Sequence, residues 1–150
     1  MRLQLVALIV LNLALIGCSP GGIEPSEGFG PVYLMVDKTS YTFEDTIWVT
    51  LHNQSSDPVF LQGCSHFWLA TKTDTGWVES PMAICVWEGF ALKINPKGLY
   101  REKHEAKYYP GVHKFVAPVY AGCLEGKPIS QAQCRRQTKI YSAVFTVLTR

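Results

Sequence analysis

Ile47-Trp48-Val49-Thr50-Leu51-His52 decides the fold class, because its apolar residues fall at every second position. A period of two puts Ile47, Val49 and Leu51 on one face of an extended strand and Trp48, Thr50 and His52 on the other, whereas a helix needs a spacing near 3.6. Upstream, Val32, Leu34 and Val36 alternate with Tyr33 and Met35, and Asp37-Lys38-Thr39-Ser40 reads as a break. Downstream, Asn53-Gln54-Ser55-Ser56-Asp57-Pro58 is a turn cluster. Val59-Phe60-Leu61 and Phe67-Trp68-Leu69-Ala70 resume extended structure, and Thr73-Asp74-Thr75-Gly76 reads as a hairpin turn before Trp77-Val78.

The pattern continues towards the C-terminus. Ile84-Cys85-Val86-Trp87 reads as a strand, and Leu92 and Ile94 share a face before the turn Asn95-Pro96-Lys97-Gly98. Leu99 to Lys107 is polar and reads as an edge strand; Val112 to Val116 follows. Gly122 to Lys139 is a long polar excursion, and Tyr141, Ala143, Phe145 and Val147 alternate with Ser142, Val144 and Thr146 in a closing strand. About seven short strands, frequent turns and no long helix predict an all-β, antiparallel β-sandwich.

The first residues read differently. Arg2 precedes an apolar stretch of 14 residues from Leu3 to Ile16, interrupted only by Gln4 and Asn12. A membrane-spanning helix needs roughly 20. A basic start, a short apolar core and a small residue before a cut are features of a removed signal. Leu15-Ile16-Gly17-Cys18 resembles the lipobox of bacterial lipoproteins, which implies cleavage before Cys18 and lipidation of its thiol. Ser19-Pro20-Gly21-Gly22 then opens a flexible tether. By the same resemblance, Ser19 rather than Asp after the cysteine implies the periplasmic side of the outer membrane, if the source has two membranes.

The 150-residue chain carries a formal charge of +2, and removing 17 residues leaves 133, enough for one domain with a core. The only adjacent cationic pair is Arg135-Arg136, so the charge balance argues against nucleic acid as a partner. Apart from Cys18 there are Cys64, Cys85, Cys123 and Cys134, an even number that reads as two disulfides in an exported protein. Four cysteines allow three pairings; Cys64–Cys85 and Cys123–Cys134 join chain neighbours and are favoured. Cys64, His66 and Cys85 are conceivable zinc ligands, but the spacing matches neither Cys-x₂₋₄-Cys nor His-x₃₋₅-His. No metal site and no cofactor is predicted.

Three segments carry a second resemblance. Tyr41-Thr-Phe-Glu-Asp-Thr-Ile-Trp-Val-Thr-Leu-His-Asn53 resembles an opening strand of bacterial immunoglobulin-like domains and of the BsuPI-like proteinase-inhibitor group. Ile94-Asn95-Pro96-Lys97-Gly98 is similar to their Leu-x-Pro-Gly turn, with Lys97 displacing the glycine. Tyr109-Pro110-Gly111-Val112-His113 is similar to their Pro-Gly-x-Tyr strand start, with His113 in the tyrosine position. The resemblance implies an immunoglobulin-like sandwich and carries over no inhibitory residue.

No catalytic residue is assigned. Of His52, His66, His104 and His113, His52 reads as solvent-facing and His113 as a buried hydrogen-bonding residue. No Gly-x-Ser-x-Gly occurs, and Glu102 and Glu105 sit among Arg101, Lys103 and Lys107 like a solvated face. The chain is therefore read as a non-enzyme. Among Trp48, Trp68, Trp77 and Trp87, two stand as binding candidates: Trp48, opposite the apolar face of its strand, and Trp87, near the expected Cys64–Cys85 bridge. The loop closed by Cys123 and Cys134 is the other recognition candidate.

These readings give a signal peptide over 1–17, lipidated Cys18 and a tether over 18–30, and a sandwich over 31–150. The expected function is a lipid-anchored, non-catalytic binding or structural module of the cell envelope. The expected partners are the membrane, through the anchor, and an envelope protein or glycan. The alternative is an extracytoplasmic proteinase inhibitor acting through the disulfide-closed loop, residues 122–138.

Overall fold

A computed structural model describes residues 29–149. The expected signal segment and Cys18 lie outside the described residues. Eleven strands occur among the described ones: β1 Val32–Val36, β2 Ser40–Tyr41, β3 Thr46–Asn53, β4 Val59–Leu61, β5 Trp68–Thr73, β6 Gly76–Pro81, β7 Leu92–Ile94, β8 Leu99–Glu105, β9 Gly111–Ala121, β10 Arg136–Tyr141 and β11 Phe145–Val147. Short 3₁₀ turns over Ala106–Tyr108 and Ile129–Gln131 are the only helical elements among them.

The strands form a sandwich of two sheets. One is β1-β3-β8; the other is built around β9 and takes in the remaining eight strands. β9 pairs along one edge with β10 and β11, and along the other with β4 and β5. β6 extends β5 and β7 extends β4. β2 joins β11 in parallel, the one parallel pairing among the described strands. The all-β sandwich expected from the alternation is present, with more strands than the seven expected.

The strand that decided the fold class behaves as its period dictates. Ile47, Val49 and Leu51 are wholly buried, while Trp48, Thr50 and His52 are half-buried on the other side. Val32 and Leu34 join them, and Phe115, Ala117, Val119, Leu61, Phe145 and Val147 face them from the second sheet. Burying each larger apolar side chain contributes about 1.5–3 kcal/mol. One buried polar residue pins a corner of this core. Asn53 donates from Nδ2 to the carbonyls of Asp57 (2.8 Å), Ile94 (3.1 Å) and Asn95 (3.1 Å), and its Oδ1 accepts from Ser55 Oγ at 2.6 Å.

Two of the strands beyond the expected seven come from the interruption of longer ones. The chain leaves the sheet at 62–67 between β4 and β5, and at 142–144 between β10 and β11. The second break has a visible cause. Ser142 turns inward, its Oγ accepts a hydrogen bond from Phe115 N at 2.9 Å, and Ser142 N donates to Phe115 O at 3.0 Å. The alternation therefore slips: Tyr141, Ala143 and Val144 face out, while Phe145 and Val147 are buried. Ile84–Trp87 is not a strand but part of an exposed loop. The polar excursion after Gly122 is shorter than expected, since β10 begins at Arg136. The edge-strand reading of Leu99–Lys107 matches β8.

Candidate functional site

Two loops, 82–91 and 122–135, carry the disulfides. Cys64, in the connection between β4 and β5, is bonded to Cys85, and Cys123 is bonded to Cys134. The loops are also joined to each other. Ala91 N donates to Lys127 O at 3.0 Å, and the Glu88 carboxylate accepts from Ser130 N (2.9 Å) and Ser130 Oγ (2.6 Å). Lys93 Nζ pairs with Glu125 Oε1 at 2.5 Å. Ser65 Oγ, beside Cys64, accepts from Met82 N at 3.0 Å and fixes where the first loop begins. A Cβ on Gly63 would collide with the Phe90 carbonyl, so only glycine lets this loop lie so close.

Beneath them lies the outer face of the β9 sheet. Phe60 is buried although its neighbours Val59 and Leu61, not Phe60 itself, belong to the core cluster. Its register partner Tyr120 lines a shallow groove of about 470 Å³ with Ile129, Ser130, Cys134 and Arg135. The stapled 122–135 loop thus lies over this end of the outer face. Burial raises the Tyr120 phenol above its usual pKa, and the nearby Glu88 charge adds to the shift.

The loop surface inverts the usual rule. Ile84 and Val86 are fully exposed, Trp87 is 67% and Phe90 61% exposed, and Leu124 is exposed on the neighbouring loop. Trp87 and Phe90 meet edge to face, with centroids 5.8 Å apart. Five large apolar side chains thus stand exposed on two cross-braced loops, four of them within the seven residues from Ile84 to Phe90. The loops and their flanking strand residues carry Lys93, Lys127, Arg135 and Arg136 against Glu88 and Glu125, a net charge of +2.

The two tryptophan candidates do not come together. Trp48 is on β3 in the other sheet, on the face opposite its apolar neighbours, with the Arg101 guanidinium stacked 4.1 Å from its ring. Trp87 belongs to the loop surface. The sequence reading missed two further clusters. On the outer face of the β9 sheet, Lys114 Nζ lies 4.6 Å from the Trp77 ring and 4.2 Å from Tyr141, and Lys139 lies 5.4 Å from Trp68. Glu79 accepts from Lys139 (2.6 Å) and Tyr141 OH (3.0 Å).

The second cluster faces inward from β8. Tyr100 OH lies 2.9 Å from His66 Nδ1 and 3.2 Å from Glu102 Oε2, and His66 Nδ1 is 3.2 Å from the same oxygen. His104 Nε2 faces Glu102 Oε1 at 3.4 Å without a well-formed hydrogen bond, an ion pair only where the imidazole is protonated. Glu102 is therefore not the solvated residue its neighbours implied. Burial pushes its pKa up, but the His66 hydrogen bond and the His104 charge more than offset this, and the net shift is downward. Burial, then the Glu102 charge, push Tyr100 up to about 12, which keeps it a neutral donor. Inward-pointing charges on an edge strand discourage pairing with another chain. His113 is buried, with Thr71 Oγ1 at 3.1 Å and the Pro110 carbonyl at 3.2 Å. Among the described residues no group of three His, Cys, Asp or Glu is placed to hold a metal.

Fold and site together define an all-β sandwich bearing an apolar surface on two bridged loops. No protein-family model and no curated protein matches the chain. Among solved structures, the chain is similar to the Pseudomonas fluorescens alkylpurine DNA glycosylase AlkC bound to DNA containing an abasic site analog. The identity is 14%, the TM-score 0.33, and the match covers 74% of this chain and 29% of that one. A likeness of this size assigns neither activity nor partner. The partner reading is nevertheless corrected: the overall charge does not support excluding nucleic acid, and that exclusion is withdrawn. The physical reason is that a chain-wide sum does not register local clusters. Lys114 and Lys139 gather on one sheet face with Trp68, Trp77 and Tyr141, and Glu79 pairs with Lys139.

Proposed function

We propose that this protein is a lipid-anchored, non-catalytic binding module of the bacterial cell envelope. In this reading Cys18 carries the anchor and the bridged loop surface makes the functional contact. The observation that carries it is the exposure of Ile84, Val86, Trp87 and Phe90 on a loop fixed by the Cys64–Cys85 bridge and by Glu88–Ser130. A pre-organised loop loses little entropy on binding, so its apolar side chains contribute more fully to affinity. Intact mass of the native protein from the membrane fraction tests the anchor: a chain beginning at Cys18 and heavier by acyl groups is expected. A photo-crosslinking residue placed at 87, with position 103 on β8 as control, tests the surface in native envelopes. Adducts at 87 alone are expected, and equal labelling at both positions sinks the assignment.

One observation favours the inhibitor reading, and it moves the loop concerned. Ile84 and Val86 flank a tethered cysteine and stand fully clear of the domain, as a protease-blocking loop must. The 122–138 loop named from the sequence lies against the sheet instead. Titration of serine and cysteine proteases with the purified domain distinguishes the readings: inhibition lost in Val86→Asp favours the inhibitor, and no inhibition of any protease removes it.

A further inference from the structure

The described chain begins beside the bridged loops. The Phe29 ring lies 5.2 Å from the Arg136 guanidinium, and Arg136 follows Cys134 by two positions. Gln54 N donates to Pro31 O at 2.8 Å, and Arg136 also faces Asp57 at 3.7 Å, so the entering chain is fixed at this end of the sandwich. Ten residues separate Cys18 from Phe29. Even fully extended, they reach about 35–40 Å. The chain that leads to Cys18 therefore leaves the domain at the end that carries the 122–135 loop, and not at the Thr73–Gly76 hairpin.

We infer that the apolar loop surface inserts into the interfacial layer of the membrane that holds the anchor, so that the domain lies loops-down on lipid. The chemistry fits such a layer. Trp87 and Phe90 are the side chains that settle at a lipid–water boundary, with Ile84, Val86 and Leu124 supplying the aliphatic contact. Lys127 and Arg135 flank them and match anionic headgroups. The acids within the patch are already engaged, Glu88 by Ser130 and Glu125 by Lys93. This inference rests on the proposed lipid anchor and names the partner of the same surface.

The test separates the two claims. The lipidated protein is reconstituted into vesicles of mixed neutral and anionic phospholipid, some with brominated acyl chains. Bromine is expected to quench an emission component that is absent in Trp87→Phe. The chain from Ser19 onward, which keeps every described residue but no lipid, is expected to bind anionic vesicles weakly, and Val86→Asp is expected to lose about tenfold in that binding. Unquenched Trp87 in a protein whose mass confirms the lipid overturns the inference and leaves the anchor reading standing. A lipid-free native mass with Trp87 still quenched overturns the anchor and keeps the loop contact. Shielding of Trp87 in a detergent-free dimer, or by an uncleaved Leu3–Ile16 segment, overturns the lipid assignment in favour of that occupant.

Discussion

A single amide, Asn53, draws three segments of backbone together. Its two Nδ2 hydrogens serve the carbonyls of Asp57, Ile94 and Asn95 inside the fold. Asn53→Ala leaves those acceptors unpaired and is expected to destabilise the domain by about 2–4 kcal/mol in urea unfolding. Asn53→Asp sets a carboxylate against the same carbonyls and is expected to cost more. Gly63 makes the complementary point about steric fit. Gly63→Ala is expected to displace loop 82–91 while leaving the core intact, read as unchanged far-UV circular dichroism with a changed Trp87 environment. Trp87→Ala removes only exposed surface, so its unfolding midpoint should stay within about 0.5 kcal/mol of the parent. A large loss of stability there would show that Trp87 belongs to the fold rather than to recognition.

Neither disulfide joins the two sheets. Cys64–Cys85 spans 21 positions and Cys123–Cys134 spans 11, and all four cysteines lie in connections between strands of the β9 sheet. Each contributes about 3 kcal/mol on the loop-entropy model. Reduction is therefore expected to lower the melting temperature but to keep the sheets, with limited proteolysis shifting into 82–91. Global unfolding on reduction would overturn this division between loops and core. The same elements show what was legible in the sequence. β3 was readable because one of its faces is core and the other is not, so polarity alternates with burial. Ile84–Trp87 was misread because apolarity alone does not distinguish a buried strand from an exposed contact loop. Tyr141–Val147 was misread because the Ser142–Phe115 hydrogen bonds shift its phase, and that partner lies 27 positions away. The grouping of Lys114, Lys139 and Trp77 depends on the register of neighbouring strands, which periodicity along one strand cannot report. Of the loop surface, Trp87 and the cysteines were legible; its joining by Glu88–Ser130 was not.

At the scale of the whole molecule, acidity acts through buried histidines. Burial lowers the pKa of His104 below the usual 6.5, partly opposed by Glu102, and burial does the same to His113 against its backbone hydrogen bonds. A histidine held neutral in the fold binds protons more readily when unfolded. Its stabilisation is complete above 6.5 and is lost as the pH falls from 6.5 through the lower folded value. Glu102, also lowered, adds a second loss below the usual carboxylate value of 4.5. Stability is thus expected to fall on going from pH 7 to pH 5 and again below 4.5, measured by urea midpoints. His113→Gln should flatten the first step, and an unchanged slope would remove His113 from the account. The pairing of Ser40 with Thr146 has a different consequence, one of timing. The partners are 106 positions apart, so the β2–β11 seam closes only once nearly all of the domain is present, and such long-range closure is slow. The two bridges need only local encounters. The cysteine pairs, 21 and 11 positions apart, are therefore expected to oxidise before that seam closes, so the last step of assembly joins a chain whose loops are already stapled.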